Sequence, residues 1–246
     1  MLKFIEHKEI QAEIVELADN LQGYYARPQA EGIYPAVVVF MEGFGLNDFI
    51  KFNVCNHLAE LGFVSLAPDF YHGDVYQYAD FQAGIAKIKT LDEDVIMAET
   101  GAGLEFLANR QEVDSARIGA IGFCLGGRLA FLANSVYAHQ LKGTVCFYGG
   151  GIAPEKDPFD RPSLLDRVEA MEAPLLLIYG ALDNMITPDE HERITKSLSV
   201  AKKRHILRVF PDVGHGFASI KREGSEAVAA KEAWQMAINF LSENLG

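Results

Sequence analysis

The ten residues Ile118-Gly119-Ala120-Ile121-Gly122-Phe123-Cys124-Leu125-Gly126-Gly127 constrain this chain more than any other segment. A short apolar run passes through Gly-x-Cys-x-Gly-Gly into a helical pattern, which reads as a strand turning sharply into a helix with a cysteine at the apex. A turn that tight leaves no room for side chains at Gly122 and Gly126, and glycine also tolerates unusual backbone angles. Cys124 is thereby pushed clear of the sheet. It also stands at a helix N-terminus, whose positive end favours a thiolate. The expected chemistry is attack by sulfur on an electrophilic carbon.

The rest of the chain supplies a framework for such a turn. Short apolar runs alternate with helical patterns, which predicts a largely parallel sheet with helices on both faces. Glu9 to Val15 and Leu21 to Arg27 alternate as an antiparallel edge pair. Tyr34 to Phe40 is a continuous β-branched run suited to a strand buried on both faces. Further strands are predicted at Phe63–Ala67, Arg117–Ile121, Thr144–Tyr148, Pro174–Tyr179 and His205–Phe210. Helices are predicted at Asn47–Leu61, ending at a C-capping Gly62, and at Asp92–Asn109, Gly126–Ala138, Pro188–Leu198 and Ser225–Leu245. Asp69 to Lys89 is aromatic and irregular. The sum is about eight strands with helices between them, and there is no internal repeat, low-complexity tract or linker.

At 246 residues the chain is expected to form one domain over 1–246. A hydrophobic content of 49% with 23% charged residues matches a soluble globular protein able to bury a large core. The net charge of −12 argues against nucleic-acid or anionic-membrane partners, which require a basic face. No signal-peptide core or membrane-length apolar run is present. The three cysteines Cys55, Cys124 and Cys146 form no disulfide framework, so a reducing cytoplasm is the expected location. The composition does not indicate the oligomeric state.

A cysteine nucleophile needs a base, and that base needs an orienting partner. In α/β-hydrolases the chain order is nucleophile, acid, histidine. Asp183 follows the strand Leu175–Tyr179 and His215 follows the strand His205–Phe210, so both emerge at the same sheet edge as Cys124. Each alone reads as an ordinary turn residue; in order, and each after its own strand, they read as a triad. The fold expected is therefore the α/β-hydrolase fold, a mostly parallel, doubly wound sheet. The oxyanion would be met by the backbone N–H of Leu125 and by one from Met41-Glu42-Gly43-Phe44-Gly45, where Gly43 permits close approach. Glu42, a carboxylate just past a buried strand, is either a buried proton carrier or an exposed loop residue.

Together these residues resemble the dienelactone hydrolase family, from about Leu21 to the C-terminus. The matching pieces are Glu42-Gly43-Phe44-Gly45, Ala67-Pro68-Asp69-Phe70-Tyr71, Gly122-Phe123-Cys124-Leu125-Gly126-Gly127, Tyr179-Gly180-Ala181-Leu182-Asp183 and Gly214-His215-Gly216-Phe217. The resemblance implies a carboxylic ester or lactone hydrolase, of the carboxymethylenebutenolidase type, that needs no cofactor. Cys124 would form the acyl-enzyme, His215 would be its proton partner and Asp183 the orienting acid. Glu42 would hold the resting thiol and take up its proton when substrate arrives, and the N–H groups of Gly43 and Leu125 would bind the oxyanion. Phe44, Tyr71, His72, Phe123 and Phe217 are candidates to touch a small-molecule ester or lactone substrate.

The family's dienelactone-using members carry two arginines for the substrate carboxylate. This chain has His72-Gly73 and Ser219 at those places. His72, Lys87, Lys89, Lys221 and Arg222 lie nearby in sequence, and either one substitutes or all are solvated charges. The alternatives are thus a hydrolase of a different activated ester or thioester, or a non-catalytic binding protein on this fold. A dinucleotide site fails on spacing, because Cys124 occupies the second position of G-x-G-x-x-G. A metal site is not expected, since His57, His72, His139, His191 and His215 share no ligand spacing. A thiol redox enzyme lacks a Cys-x-x-Cys.

Overall fold

In the computed structural model, which describes residues 8–219 and 225–246, the β-branched run Tyr34–Phe40 is a strand (β3) whose Val37, Val38 and Val39 are fully buried. It carries no polar face because both of its faces are covered. The chain divides into two compact units, Met1–Ile118 and Gly119–Gly246.

In the first unit, β1 (Ile10–Ala18) and β2 (Leu21–Pro28) form an antiparallel pair in the register Ile14↔Tyr24, turning at Asn20, whose φ of 61° is left-handed. β2 pairs antiparallel with β4 (Val64–Pro68), and β4 pairs parallel with β3, giving the order β1-β2-β4-β3. The predicted helix Asn47–Leu61 is two pieces, a π-helical stretch Phe49–Cys55 running into α1 (Asn56–Glu60). It stops as expected at Gly62, where φ is +97°.

The stretch 69–89, expected to be irregular, contains α2 (Phe81–Ile88). Phe81, Ile85 and Ile88 stand at i, i+4 and i+7, a helical signal masked by the surrounding tyrosines. α3 (Glu93–Ala108) starts at Asp92, whose carboxylate accepts the Asp94 N–H at 2.9 Å.

β5 (Val113–Phe123) is longer than predicted and runs through the boundary between the units. In the second unit it leads into α4 (Leu125–Val136), then β6 (Leu141–Phe147), β7 (Leu175–Gly180), α5 (Pro188–Val200), β8 (His205–Phe210) and α6 (Ser225–Leu245). β6, β7 and β8 are parallel, in the registers Val145↔Leu176 and Leu176↔Ile206. β7 is buried throughout, whereas β8 alternates half-buried and exposed residues up to the buried Phe210, as an edge strand does. β6 ends one residue before its predicted end, leaving Tyr148 in a left-handed conformation at φ 37°.

The architecture is the expected α/β-hydrolase fold, with eight strands among the described residues, mostly parallel, and flanking helices. No helix among the described residues is long and apolar enough to cross a membrane.

Candidate active site

The second unit contains the turn on which the sequence reading rests. β5 ends at Phe123, α4 begins at Leu125, and Cys124 between them has φ 54° and ψ −116°. That is a sparsely populated backbone region for a residue with a side chain. A Cβ on Gly122 would lie 1.9 Å from the Gly126 carbonyl oxygen, so only glycine fits there. The elbow is also tied to the end of β6. The Cys124 N–H donates to the Phe147 carbonyl at 3.0 Å, and a Cβ on Gly127 would lie 2.7 Å from that same oxygen. The Cys124 carbonyl accepts the Gly127 N–H at 3.0 Å and so opens the helix.

The loops after β7 and β8 bring the acid and the histidine together. A Cβ on Gly180 would lie 2.3 Å from the Val213 carbonyl, and the Leu182 N–H donates to that carbonyl at 2.9 Å. The Ala181 N–H reaches the Phe210 carbonyl at 2.8 Å. Asp183, whose side chain is fully buried, accepts the Met185 N–H on Oδ1 at 2.8 Å and faces His215 Nδ1 through Oδ2 at 2.7 Å. An ionised carboxylate can only accept, so Nδ1 carries the proton of this bond.

Nε2 of His215 is buried with no hydrogen-bond partner among the described residues, while Cys124 acts electrostatically on the imidazole as a whole. Burial opposes the charged imidazole. The Cys124 sulfur and the Asp183 carboxylate outweigh it and raise the His215 pKa to about 10. Cys55 and Cys146 are fully buried, and burial pushes Cys55 up to about 12 and Cys146 higher still.

In the first unit Glu42 is buried at 2% exposure, which answers the alternative of an exposed loop residue. Its Oε1 accepts both the Asn47 amide at 2.8 Å and the Tyr78 hydroxyl at 2.5 Å. Phe44 is half-buried and packs edge-on against Tyr78 at 4.8 Å. Tyr71 is buried, and its hydroxyl donates to the Gly43 carbonyl at 3.2 Å, fixing the loop that carries Gly43.

His72 is exposed and engaged, with Nδ1 at 3.1 Å from the Asn20 carbonyl and Nε2 at 3.0 Å from Glu99. Lys87 pairs with Asp74 at 2.7 Å. Lys221 and Arg222 lie outside the described residues. Phe123 is fully buried, stacked on Phe147 at 4.9 Å, and Phe217 is buried against Tyr148 at 5.7 Å, so both rings pack in the core.

Two residues with clear structural roles escaped the sequence reading. Arg128 is fully buried on α4 and donates to the carbonyls of Gly151 and Pro162, the latter at 2.9 Å, holding the loop between β6 and β7. Its signal was a lone arginine in an otherwise apolar helix. Tyr148, fully buried, lies 5.1 Å from the His215 ring. Its signal was a tyrosine leaving a strand into Gly149-Gly150-Gly151. Among the described residues no group of three or more His, Cys, Asp or Glu is placed to hold a metal ion.

Comparison with known proteins gives a consistent picture. The model of the dienelactone hydrolase family matches residues 21–245. A protein of Escherichia coli O157:H7 named "Putative carboxymethylenebutenolidase" is 31% identical over 233 residues, covering 92% of this chain and 83% of that protein. Among solved structures, the "Putative Dienelactone Hydrolase" of Klebsiella pneumoniae superposes with a TM-score of 0.86 at 28% identity, over 96% of this chain and 99% of that one. A dienelactone hydrolase-like promiscuous phosphotriesterase from metagenomic libraries gives 0.80 at 26% identity, over 96% and 99%.

Proposed function

The chain belongs to the dienelactone hydrolase family and is a hydrolase of ester bonds, and from that premise we propose that it cleaves activated esters or lactones through a thioester on Cys124. The observation that carries this reading is the 2.7 Å contact of Asp183 with His215 in the unit that carries Cys124 on its strained elbow. The Cys124 sulfur attacks the carbonyl carbon and a tetrahedral oxyanion forms. The bond to the leaving oxygen then breaks, and His215 gives that oxygen its proton. Water next attacks the thioester, His215 takes one proton of the water, and the C–S bond breaks to release the acid and return Cys124 as the thiolate.

The Leu125 N–H at the start of α4 supplies one oxyanion donor, and family resemblance assigns Gly43 the other. The same resemblance assigns Glu42 the proton of the resting thiol, a role supported by the burial of its carboxylate and the two donors that hold its Oε1. The match over 21–245 supports one catalytic domain, and the three free cysteines support a cytoplasmic location.

The substrate is an ester without the carboxylate that dienelactone carries. Of the candidate replacement cations, His72 is committed to Glu99 and Asn20, and Lys87 to Asp74. A thiolate is itself a good leaving group, so net acylation requires a stabilised leaving group such as an enolate or phenolate.

The test is hydrolysis of p-nitrophenyl acetate and of a dienelactone side by side, wild type against Cys124→Ala. Turnover of the aryl ester that vanishes in C124A supports the reading. Efficient turnover of the dienelactone overturns the substrate assignment, and turnover that survives in C124A overturns the thiol mechanism.

A further inference from the structure

Among the described residues of the second unit, Tyr148 is the one bulky residue that is both fully buried and left-handed, with φ 37°. A left-handed aromatic residue is a backbone outlier, and it persists only where its surroundings over-determine it. Here they do. Its N–H donates to the Ile178 carbonyl at 2.7 Å. The carbonyl before it, on Phe147, holds the Cys124 N–H at 3.0 Å. The residue after it is pressed into the elbow helix, since a Cβ on Gly149 would lie 2.7 Å from the Gly127 carbonyl carbon. The strand end is thus locked to the elbow on both sides of Tyr148, and the chain turns left-handed between the two locks. The ring then lies 5.1 Å from the His215 ring at 59° and 5.7 Å from Phe217 at 62°.

His215 needs such a neighbour. It stands between Gly214 and Gly216, so its own loop offers it no side wall. Asp183 grips Nδ1 alone, and that one hydrogen bond leaves the imidazole room to tilt. A second contact is required to fix the ring plane, and with it the direction of Nε2.

We propose that Tyr148 is a positioning residue for the hydrolysis, its ring serving as the wall that holds the His215 imidazole in the plane presenting Nε2 to Cys124. Because it is anchored through Phe147 and Gly149 to the elbow, it keeps the base in register with the nucleophile. The inference rests on the reading of Cys124 and His215 given above.

The experiment compares wild type, Tyr148→Phe, Tyr148→Leu and Tyr148→Met by thermal melting, by kcat and KM on p-nitrophenyl acetate, and by the pH dependence of alkylation with iodoacetamide, with C124A subtracted. Y148F keeps the ring and retains the wild-type profile. Y148L and Y148M lower kcat by about tenfold to a hundredfold, as a misplaced base does, with KM roughly unchanged. They also change the pH profile of Cys124 alkylation, because a displaced imidazole no longer faces the sulfur in the same way.

Folded Y148L or Y148M with the wild-type alkylation profile and kcat overturns the proposal. So does failure of both to fold beside a native Y148F, which makes the ring purely structural. If the wild type shows no Cys124-dependent turnover, the hydrolase reading fails on its own, and the alkylation profiles still decide the role of Tyr148.

Discussion

Asp183 Oδ2 lies 2.7 Å from His215 Nδ1, and the loops that carry the two residues interlock where the Leu182 N–H meets the Val213 carbonyl at 2.9 Å. The acid therefore fixes both the tautomer and one end of the imidazole. In Asp183→Asn the amide can donate toward Nδ1 and stabilise the wrong tautomer, leaving the fold intact. Steady-state kinetics on an aryl ester should show kcat lowered by roughly 10³ to 10⁴, with an unchanged far-UV spectrum. A loss of less than about tenfold removes Asp183 from the triad.

The pH dependence follows from His215. Its pKa is raised to about 10, from an ordinary 6.5, with burial opposing and the Cys124 sulfur and Asp183 prevailing. A raised pKa means that the imidazolium survives through neutral pH and is lost only as pH climbs through about 10. The proton donor for the leaving oxygen disappears over that range, so kcat/KM for a phenyl or alkyl ester falls above about 10. A p-nitrophenyl ester, whose leaving group needs no proton, shows a weaker fall. In C124A the largest favourable influence on the imidazolium is gone, and the His215 titration followed by NMR should move down toward 6.5. An unmoved titration in C124A would falsify the influence of the sulfur on the imidazole.

Glu42 can be tested separately from the fold. Glu42→Gln keeps an oxygen for both Asn47 and Tyr78 while removing the negative charge. If the carboxylate takes the thiol proton, kcat falls by about 10² to 10⁴, with the melting temperature nearly unchanged. A variant that melts early at full activity assigns Glu42 a structural role instead.

Gly122→Ala forces a methyl to within 1.9 Å of the Gly126 carbonyl oxygen. Backbone on backbone cannot give way as a flexible side chain does. Chemical denaturation should show a loss of about 3 kcal/mol or more, with activity lost in parallel as Cys124 is displaced.

Arg128→Met removes the buried guanidinium that holds the Gly151 and Pro162 carbonyls. Buried acceptors left without donors cost about 1–3 kcal/mol each. The variant should unfold at lower denaturant, and limited proteolysis should cut between residues 149 and 164 first. Equal protease resistance would show that the loop is held by other means, such as the Asp157–Arg161 pair at 2.9 Å.

The sequence by itself determined the parts of this protein whose signals are local. Gly-x-Cys-x-Gly-Gly specifies the elbow because no side chain fits at Gly122, whatever surrounds it. The apolar runs specify β3 and β7 because burial on both faces excludes polar residues. Chain order after successive strands placed Asp183 and His215 in line for each other.

Tertiary structure alone decided what depends on distance across the chain. α2 was hidden because its apolar spacing sits among tyrosines that serve other contacts, such as Tyr78 on Glu42. Phe123 and Phe217 became packing residues because the rings of Phe147 and Tyr148, distant in sequence, close over them. Tyr148 reads as one more strand residue until the elbow helix presses against Gly149 and turns the chain left-handed. Local sequence sets the backbone each residue prefers, and packing against residues far along the chain decides which side chain meets the imidazole.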